Sequence, residues 1–180
     1  MVKFLSRPAL LVLVSTGLAP TVRAQAAPDL SDPEVAHVVV TANSIDITLA
    51  KFALSRAKNP DVKKFATTMI ADHSAVNEQA GALAARLGVT PKDNAVSQSL
   101  TKGAADARAS VEPLHGAAFD RAYITREVGD HQAVLDALDG LLIPTTSNAE
   151  LKKLLVDVRP AIAAHLEHAK MLKASLAVAE

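Results

Sequence analysis

The 180-residue chain contains no cysteine and no tryptophan. The absence of cysteine excludes disulfides, thiolate metal sites, cysteine nucleophiles and lipid attachment at an N-terminal cysteine. Aromatic residues make up only 3% of the chain, which disfavours surfaces that stack nucleic-acid bases or sugars. Lys and Arg number 19 and Asp and Glu number 19, so there is no net charge. The sequence therefore gives no indication of binding to nucleic acid or to an anionic membrane.

The first residues have the pattern of a secretory signal peptide. Lys3 and Arg7 supply positive charge, an apolar run follows over residues 9–14, and residues 22–24 are the short segment Val-Arg-Ala. We predict a signal peptide over residues 1–24, with cleavage after Ala24 and with Ala26 as the second choice. An N-terminal anchor that is not cleaved is the alternative.

Cleavage after Ala24 would leave 180 − 24 = 156 residues, enough for one domain, which we predict at residues 30–177. No later apolar segment is expected to span a membrane. We therefore expect a soluble periplasmic or secreted protein. An association with the outer membrane and a homo-oligomer stay open, and the partner is not readable from the sequence.

Composition and apolar spacing predict an all-α protein, because the chain is rich in Ala and Leu and glycine and proline lie mostly at boundaries. Four long helices follow from the capping signals. Helix one opens at Ser31-Asp32-Pro33-Glu34, helix two runs from Asn59 to Gly88, helix three from about Ala117 to Leu142 with Pro144 ending it, and helix four starts at Ser147-Asn148-Ala149-Glu150. Pro160 lies inside the fourth helix and should kink it.

The connections predict how these helices are joined. The link Lys58-Asn59 is so short that helices one and two must form an antiparallel hairpin. Between the second and third helices lies a more polar segment with a short helical piece near 96–111. We predict a ferritin-like four-helix bundle with a long crossover between helices two and three, plus an extra short helix. A simple up-down-up-down bundle with an excursion is the alternative.

The dipeptide Asp-His occurs twice in similar helical surroundings, in the segments IADHSAV and VGDHQAV. Successive residues of a helix point about 100° apart. Asp72 and His73 therefore flank the core stripe of helix two, and Asp130 and His131 flank that of helix three. Each residue of a pair should face a different neighbouring helix.

Three further residues extend the two pairs to all four helices. Glu127 lies one turn before His131, while Asp46 and His165 lie beside the apolar stripes of helices one and four. The candidate ligands of a transition-metal ion are Asp46, Asp72, His73, Glu127, Asp130, His131 and His165. Asp46 and His73 should lie at one level, whereas His131 and His165 should differ by roughly one helical turn unless the Pro160 kink or the interhelical turn absorbs the difference.

Two interpretations of these buried polar groups are open. Interhelical Asp–His hydrogen bonds could hold an alanine-rich core in register without any ligand. The same residues could hold a transition-metal ion, since a ligating histidine usually donates its other N–H to a carboxylate. The remaining histidines, His37, His115 and His168, lie off the apolar stripes and should be surface or boundary residues.

Three segments, taken in order, resemble a bacterial exported family, the domain of unknown function 4142. They are Asp61-Val-Lys-Lys-Phe-Ala66 leading into Met69-x-x-Asp72-His73, Gly116-Ala-Ala-Phe-Asp-Arg-Ala-Tyr123 leading to Asp130-His131, and Pro160-x4-His165-Leu166. The resemblance covers about residues 35–172. It implies a ferritin-like four-helix bundle in a family often labelled exported or outer-membrane, and it implies no established activity.

The chain departs from the Glu-x-x-His pattern of di-iron bundles. Three residues before His73 is Ile70, and three before His165 is Ile162. The usual acid on helix one appears here as the shorter Asp46. This departure argues against a ferroxidase or oxygen-activating di-iron centre.

The sequence also carries no nucleophile motif, phosphate loop or convincing cofactor signature, so catalysis has the least support. The leading expectation is an exported structural or interaction protein, associated with envelope stress only by analogy of fold and location. The second expectation is a metal-binding protein that uses the seven candidate residues.

Overall fold

The structure is a computed structural model that describes residues 29–178, and the predicted signal peptide lies outside the described residues. The described chain is all-helical, as predicted. Its elements are α1 (Asp32–Arg56), α2 (Pro60–Leu87), α3 (Ala95–Val111), α4 (Gly116–Ala137), a π-helical turn (Leu138–Leu142), α5 (Ile143–Thr145) and α6 (Ala149–Val178). The long helices α1, α2, α4 and α6 form the bundle, and α3 is the extra helix of the crossover.

The predicted capping residues begin and end the first two helices. The Glu34 carboxylate accepts a hydrogen bond of 3.0 Å from the Ser31 N–H, as a capping box requires. Asn59 accepts from the N–H groups of the first turn of α2, and Gly88 ends that helix with a φ of 64°, a left-handed conformation that glycine adopts without strain.

Two details at the boundary between α4 and α6 differ from the prediction. Pro144 does not end the helical path at once, because it directly follows a π-helical turn in which the regular i→i−4 hydrogen bonds are interrupted, and the path ends one residue later at Thr145. The cap of α6 is Asn148 rather than Ser147, since the Asn148 side-chain oxygen accepts from the N–H groups of Glu150 and Leu151 at 3.0 Å each. Pro160 lies inside α6 without ending it.

Hydrogen bonds along the crossover show that α3 runs in the same direction as α1. The Lys92 N–H donates to the Pro33 carbonyl at 2.9 Å, so the crossover starts beside the first turn of α1. At its other end, the Arg56 guanidinium donates to the Glu112 carbonyl. The crossover therefore returns the chain along the whole length of α1.

Two further contacts fix the directions of the second hairpin. The Asp120 carboxylate near the start of α4 accepts from the N–H groups of Lys58 and Asn59 in the α1–α2 turn. At the start of α6, the Asn148 N–H donates to Asp32, the first residue of α1, at 2.9 Å. Hence α2 and α4 run parallel to each other, and α1 and α6 run the opposite way. This connectivity has one long crossover and excludes the up-down-up-down alternative.

By length and apolar composition, α1 passes a test for a membrane-crossing helix among the described residues. A buried helix of a bundle passes the same test, and eight residues of α1 are buried. The expectation that the mature chain has no membrane span stays a prediction.

The bundle core consists of two apolar clusters. One lies near the α1–α2 turn and includes Phe65, Phe119 and Tyr123. The other lies toward the opposite end and includes Val35 and Leu155. Between them, at mid-height, the interior is polar.

Candidate metal centre

A layer of polar side chains crosses the middle of the bundle, and each long helix contributes to it. Helical spacing of three and four residues places Asn43 and Asp46 on one face of α1, and Glu127 and His131 on one face of α4. His73 enters from α2 and His165 from α6. The buried members of the layer are Asn43, His73, Glu127, His131 and His165, while Asp46 has 13% of its side chain exposed.

Three imidazoles of this layer converge. The ring centroids of His73 and His131 are 5.7 Å apart, and His165 lies 5.5 Å from each of them. One ring nitrogen from each histidine lies within 4.8 Å of the other two. We call His73, His131 and His165 the three-histidine cluster.

The outer nitrogen of each ring is held by a hydrogen bond. His73 donates from Nδ1 to Asn43 Oδ1 at 2.7 Å. His131 donates from Nδ1 to the Glu127 carbonyl at 2.9 Å, and His165 donates from Nε2 to an Asp72 carboxylate oxygen at 2.9 Å. These bonds assign the proton of each neutral ring to its outer nitrogen and fix the ring orientation.

The inner nitrogens, His73 Nε2, His131 Nε2 and His165 Nδ1, have no hydrogen-bond partner among residues 29–178. Burial, followed by the neighbouring charges of His131 and His165, lowers the pKa of His73 to about 3. Burial also lowers the pKa of His131 to about 4, although its hydrogen bond to the Glu127 carbonyl acts in the opposite direction. At neutral pH these two rings are therefore uncharged and present lone pairs to a shared centre.

Two carboxyl groups border the cluster. An Asp46 carboxylate oxygen lies 3.5 Å from His73 Nε2 and 3.9 Å from His131 Nε2. Burial and then the charge of Asp130 raise the pKa of Asp46 to about 7, while Arg126 acts to lower it. Burial and then Asp46 raise the pKa of Glu127 well above its usual value. Both groups would be stabilised as carboxylates by a cation.

The aspartates of the two Asp-His pairs have different partners in the structure. His73 faces α1, and Asp72, half exposed, reaches α6 to accept from His165. In the second pair His131 points inward, but Asp130 turns to Arg126 of its own helix at 2.9 Å and is not part of the clusters of converging ligand atoms. Of the seven sequence candidates, the structure brings five together at the centre, places Asp72 behind His165, and leaves Asp130 half-buried outside the group of converging atoms.

The heights of the histidines agree better than the sequence suggests. His131 and His165 were expected to differ by roughly one turn, and their rings are in contact distance. The turn absorbs the difference, because the helical path continues through the π-helical turn to Thr145, and a π-turn takes up an extra residue. His131 thus lies 14 residues before Thr145, and His165 lies 16 residues after Ala149.

The other three histidines lie away from the centre. His115 is the exposed residue before α4 and makes no side-chain capping bond. His37 lies 3.7 Å from Asp93, and the His168 ring packs 5.2 Å from Phe65.

Asn43 is the functional residue that sequence reasoning missed. Its apolar neighbours Ala42 and Ile45 are only half-buried, whereas Asn43 itself is buried. The signal that could have found it is a polar amide one turn before Asp46 in an otherwise apolar helix. An acceptor there orients a histidine that lies 30 residues away in sequence.

The raised pKa of Asp46 predicts how the metal-free protein responds to pH. Between the usual pKa and about 7, the folded state holds a proton on Asp46 that the unfolded state has lost, so stability falls as pH rises through this window. The substitution Asp46→Asn replaces the carboxyl by an amide that cannot ionise. We therefore expect this variant to become more stable relative to wild type by about 2 kcal/mol between pH 5 and pH 8.

This prediction is measured by urea unfolding at both pH values with a chelator present. Arg126, Asp130 and the histidines are present in both proteins, whereas the pKa of Glu127 is itself raised by Asp46, so the difference reports Asp46 and Glu127 as a coupled pair. An equal effect of the substitution at pH 5 and pH 8 would contradict a raised pKa.

The fold and this layer define a class of protein: an all-helical bundle with imidazoles and carboxyl groups clustered in its buried middle. The chain belongs to the family described as Domain of unknown function (DUF4142), whose family model matches residues 17–172. This match confirms the resemblance seen in the sequence.

Among solved structures, the chain is similar to one described as "CopM in the Cu(II)-bound form". The TM-score is 0.62 at 16% sequence identity, and the alignment covers 82% of this chain and 99% of that chain. At this identity the likeness shows the fold alone, and it agrees with the helical bundle described above. The search of curated proteins found no match.

Proposed function

We propose that the protein is an exported metal-binding protein that holds one transition-metal ion in the three-histidine cluster. The observation that carries this proposal is the different hydrogen bonding of the two nitrogens in each imidazole ring. In each ring one nitrogen donates to a protein acceptor and the other has no hydrogen bond among the described residues, and one nitrogen of each ring lies within 4.8 Å of those of the other two. Metal-ligating histidines are held in this manner by their second nitrogen.

The ligand set indicates the class of ion. Neutral imidazoles suit copper, zinc and nickel, whereas thiolate ligands are excluded by the absence of cysteine. Asp46, whose nearest oxygen lies 3.5 Å from His73 Nε2, is the candidate for a fourth ligand. Cu(II) binds most tightly to sites of this kind, and it is also the ion in the structurally similar CopM. We therefore propose Cu(II) first, with zinc as its main competitor.

The exported location in this proposal rests on the N-terminal sequence. The apolar segment over residues 9–14, preceded by two basic residues, has the composition of a leader. The competing interpretation, a polar layer that only holds the helices in register, draws support from the interhelical bond between Asp72 and His165. The two interpretations predict opposite results for added metal.

The test uses the full chain expressed without a histidine tag and recovered from the exported fraction. We expect its mass to correspond to a chain starting at Gln25. Titration with Cu(II) against a competing chelator should give one tightly bound ion per chain. Metal at 100 times its Kd should stabilise the folded state by about 2.7 kcal/mol and raise the Tm.

His73→Ala should lower Cu(II) affinity at least about 100-fold, because removing a ligand exceeds the 10–100-fold cost of removing a supporting group. His115→Ala is the matched control, since it removes an imidazole outside the cluster, and it should bind as wild type does. Absence of a metal-induced Tm shift in wild type, together with a large loss of stability in His73→Ala, would contradict the proposal and favour the register interpretation.

A further inference from the structure

Glu127 is a buried carboxyl group that the three-histidine cluster does not explain. It is 1% exposed. Neither of its carboxyl oxygens meets hydrogen-bond geometry with a described residue, although the Tyr123 hydroxyl lies close enough to act as a donor that lowers the pKa of Glu127. Burying such a group without a partner is costly, and in proteins it is offset by a cation or by protonation.

The two nearby side chains that could pair with the Glu127 carboxylate, Arg126 and His131, already have other partners. Arg126, the next residue toward the N-terminus, has its guanidinium at 2.9 Å from Asp130. The His131 ring lies 3.4 Å from a Glu127 oxygen, but its Nδ1 already donates to the Glu127 backbone carbonyl.

A second group of converging ligand atoms surrounds this carboxyl. Asp46, Glu127 and His131 each offer one atom within 4.8 Å of the others. An Asp46 oxygen, Oδ1, also has no hydrogen-bond partner among residues 29–178. Two carboxylates and one imidazole form a harder ligand set than three imidazoles, and carboxylate-rich sets are the kind in which proteins hold Mn²⁺.

We infer that Asp46, Glu127 and His131 form a second cation position, which takes a hard divalent ion such as Mn²⁺ and is filled as an alternative to the three-histidine cluster. The exclusion follows from His131, which belongs to both groups and has one nitrogen, Nε2, without a hydrogen bond. The claim that the two ions exclude each other rests on the proposed function, since it requires Cu(II) in the three-histidine cluster. The claim that Asp46, Glu127 and His131 form a cation position depends only on the surroundings of Glu127.

Two substitutions separate the positions because each removes a residue that belongs to only one of them. Glu127→Gln keeps the shape of the side chain and removes its charge, and it leaves the three histidines intact. His165→Ala removes a member of the three-histidine cluster and leaves Asp46, Glu127 and His131 intact. Circular dichroism of both metal-free variants verifies that they are folded.

The probes are Mn²⁺, followed by electron paramagnetic resonance of the free ion, and Cu(II), titrated against a chelator. In wild type, we expect one Mn²⁺ per chain, displaced by one equivalent of Cu(II). Glu127→Gln should lose at least about 10-fold in Mn²⁺ affinity with Cu(II) affinity unchanged. His165→Ala should instead lose Cu(II) affinity with Mn²⁺ affinity unchanged.

Failure of the inference is distinct from failure of the proposed function. If wild type binds Cu(II) but no Mn²⁺, or if Glu127→Gln binds Mn²⁺ as wild type does, the second position is overturned and the first stands. Simultaneous occupancy by both ions would overturn the exclusion through His131. Binding of Mn²⁺ that depends on Glu127, without any Cu(II) binding, would support the carboxylate position and contradict the copper site. The wild-type titrations alone decide whether Mn²⁺ binds and whether Cu(II) displaces it, even if a variant does not fold.

Discussion

His131→Ala should weaken the binding of both Cu(II) and Mn²⁺, because His131 is common to the two groups of converging ligand atoms. We expect at least a 100-fold loss of Cu(II) affinity and about a 10-fold or greater loss for Mn²⁺. No other single histidine should have this double effect, since His73 and His165 belong only to the three-histidine cluster. The measurement is the same pair of titrations on metal-free protein.

His168→Ala is the control for this substitution. His168 lies one turn after His165 and is partly buried against Phe65, so its removal also changes packing around an aromatic ring without touching the centre. It should lower stability and leave both affinities unchanged. If His131→Ala still bound either ion with wild-type affinity, the assignment of His131 to that ion's position would be wrong.

The largest expected loss of stability comes from Asp120→Ala. Asp120 is 2% exposed, and its carboxylate accepts hydrogen bonds from the N–H groups of Lys58, at 3.1 and 3.2 Å, and Asn59, at 2.8 Å. These bonds join the start of α4 to the α1–α2 turn, so they connect the two hairpins. Hydrogen bonds to a charged group contribute about 1.5–3 kcal/mol each, and we expect a loss of about 3 kcal/mol.

For a domain of this size, that loss corresponds to a fall in Tm of roughly 10 °C. The measurement is thermal and urea unfolding of metal-free protein. Asp136→Ala is the matched control, because Asp136 is an exposed residue of α4 whose side chain bonds only to Gln132, and its removal should change stability by less than about 0.5 kcal/mol. Equal effects of the two substitutions would contradict a structural role for the Asp120 contacts.

Local sequence signals predicted the helices well because their causes are local. The capping residues Ser31 and Asn59 and the left-handed Gly88 act within one turn of the helix ends they determine. Pro144 was read as a stop for the same reason, and that prediction was wrong because a π-helical turn ahead of it lets the helical path continue. A π-turn has no sequence signature of comparable strength.

The candidate site was predicted in its residues but not in its connections. Helical periodicity placed His73 and His131 toward the interior, since direction around a helix depends only on spacing along it. It could not distinguish Asp72, which crosses to His165, from Asp130, which turns to Arg126. Both aspartates occupy the same place beside a histidine, and their different roles depend on which side chain of a neighbouring helix lies within reach.

The sequence by itself determined an all-helical chain, its family, and a set of imidazoles and carboxylates on the inner faces of four helices. Tertiary structure alone decided which of them meet, and which nitrogen of His73 and of His165 is left without a hydrogen bond, whereas His131 donates to a carbonyl of its own helix. The acceptors that hold His73 and His165 lie 30 and 93 residues away in sequence. The physical reason is that a ring's proton is placed by its hydrogen-bond acceptor, and here helix packing brings that acceptor from another helix.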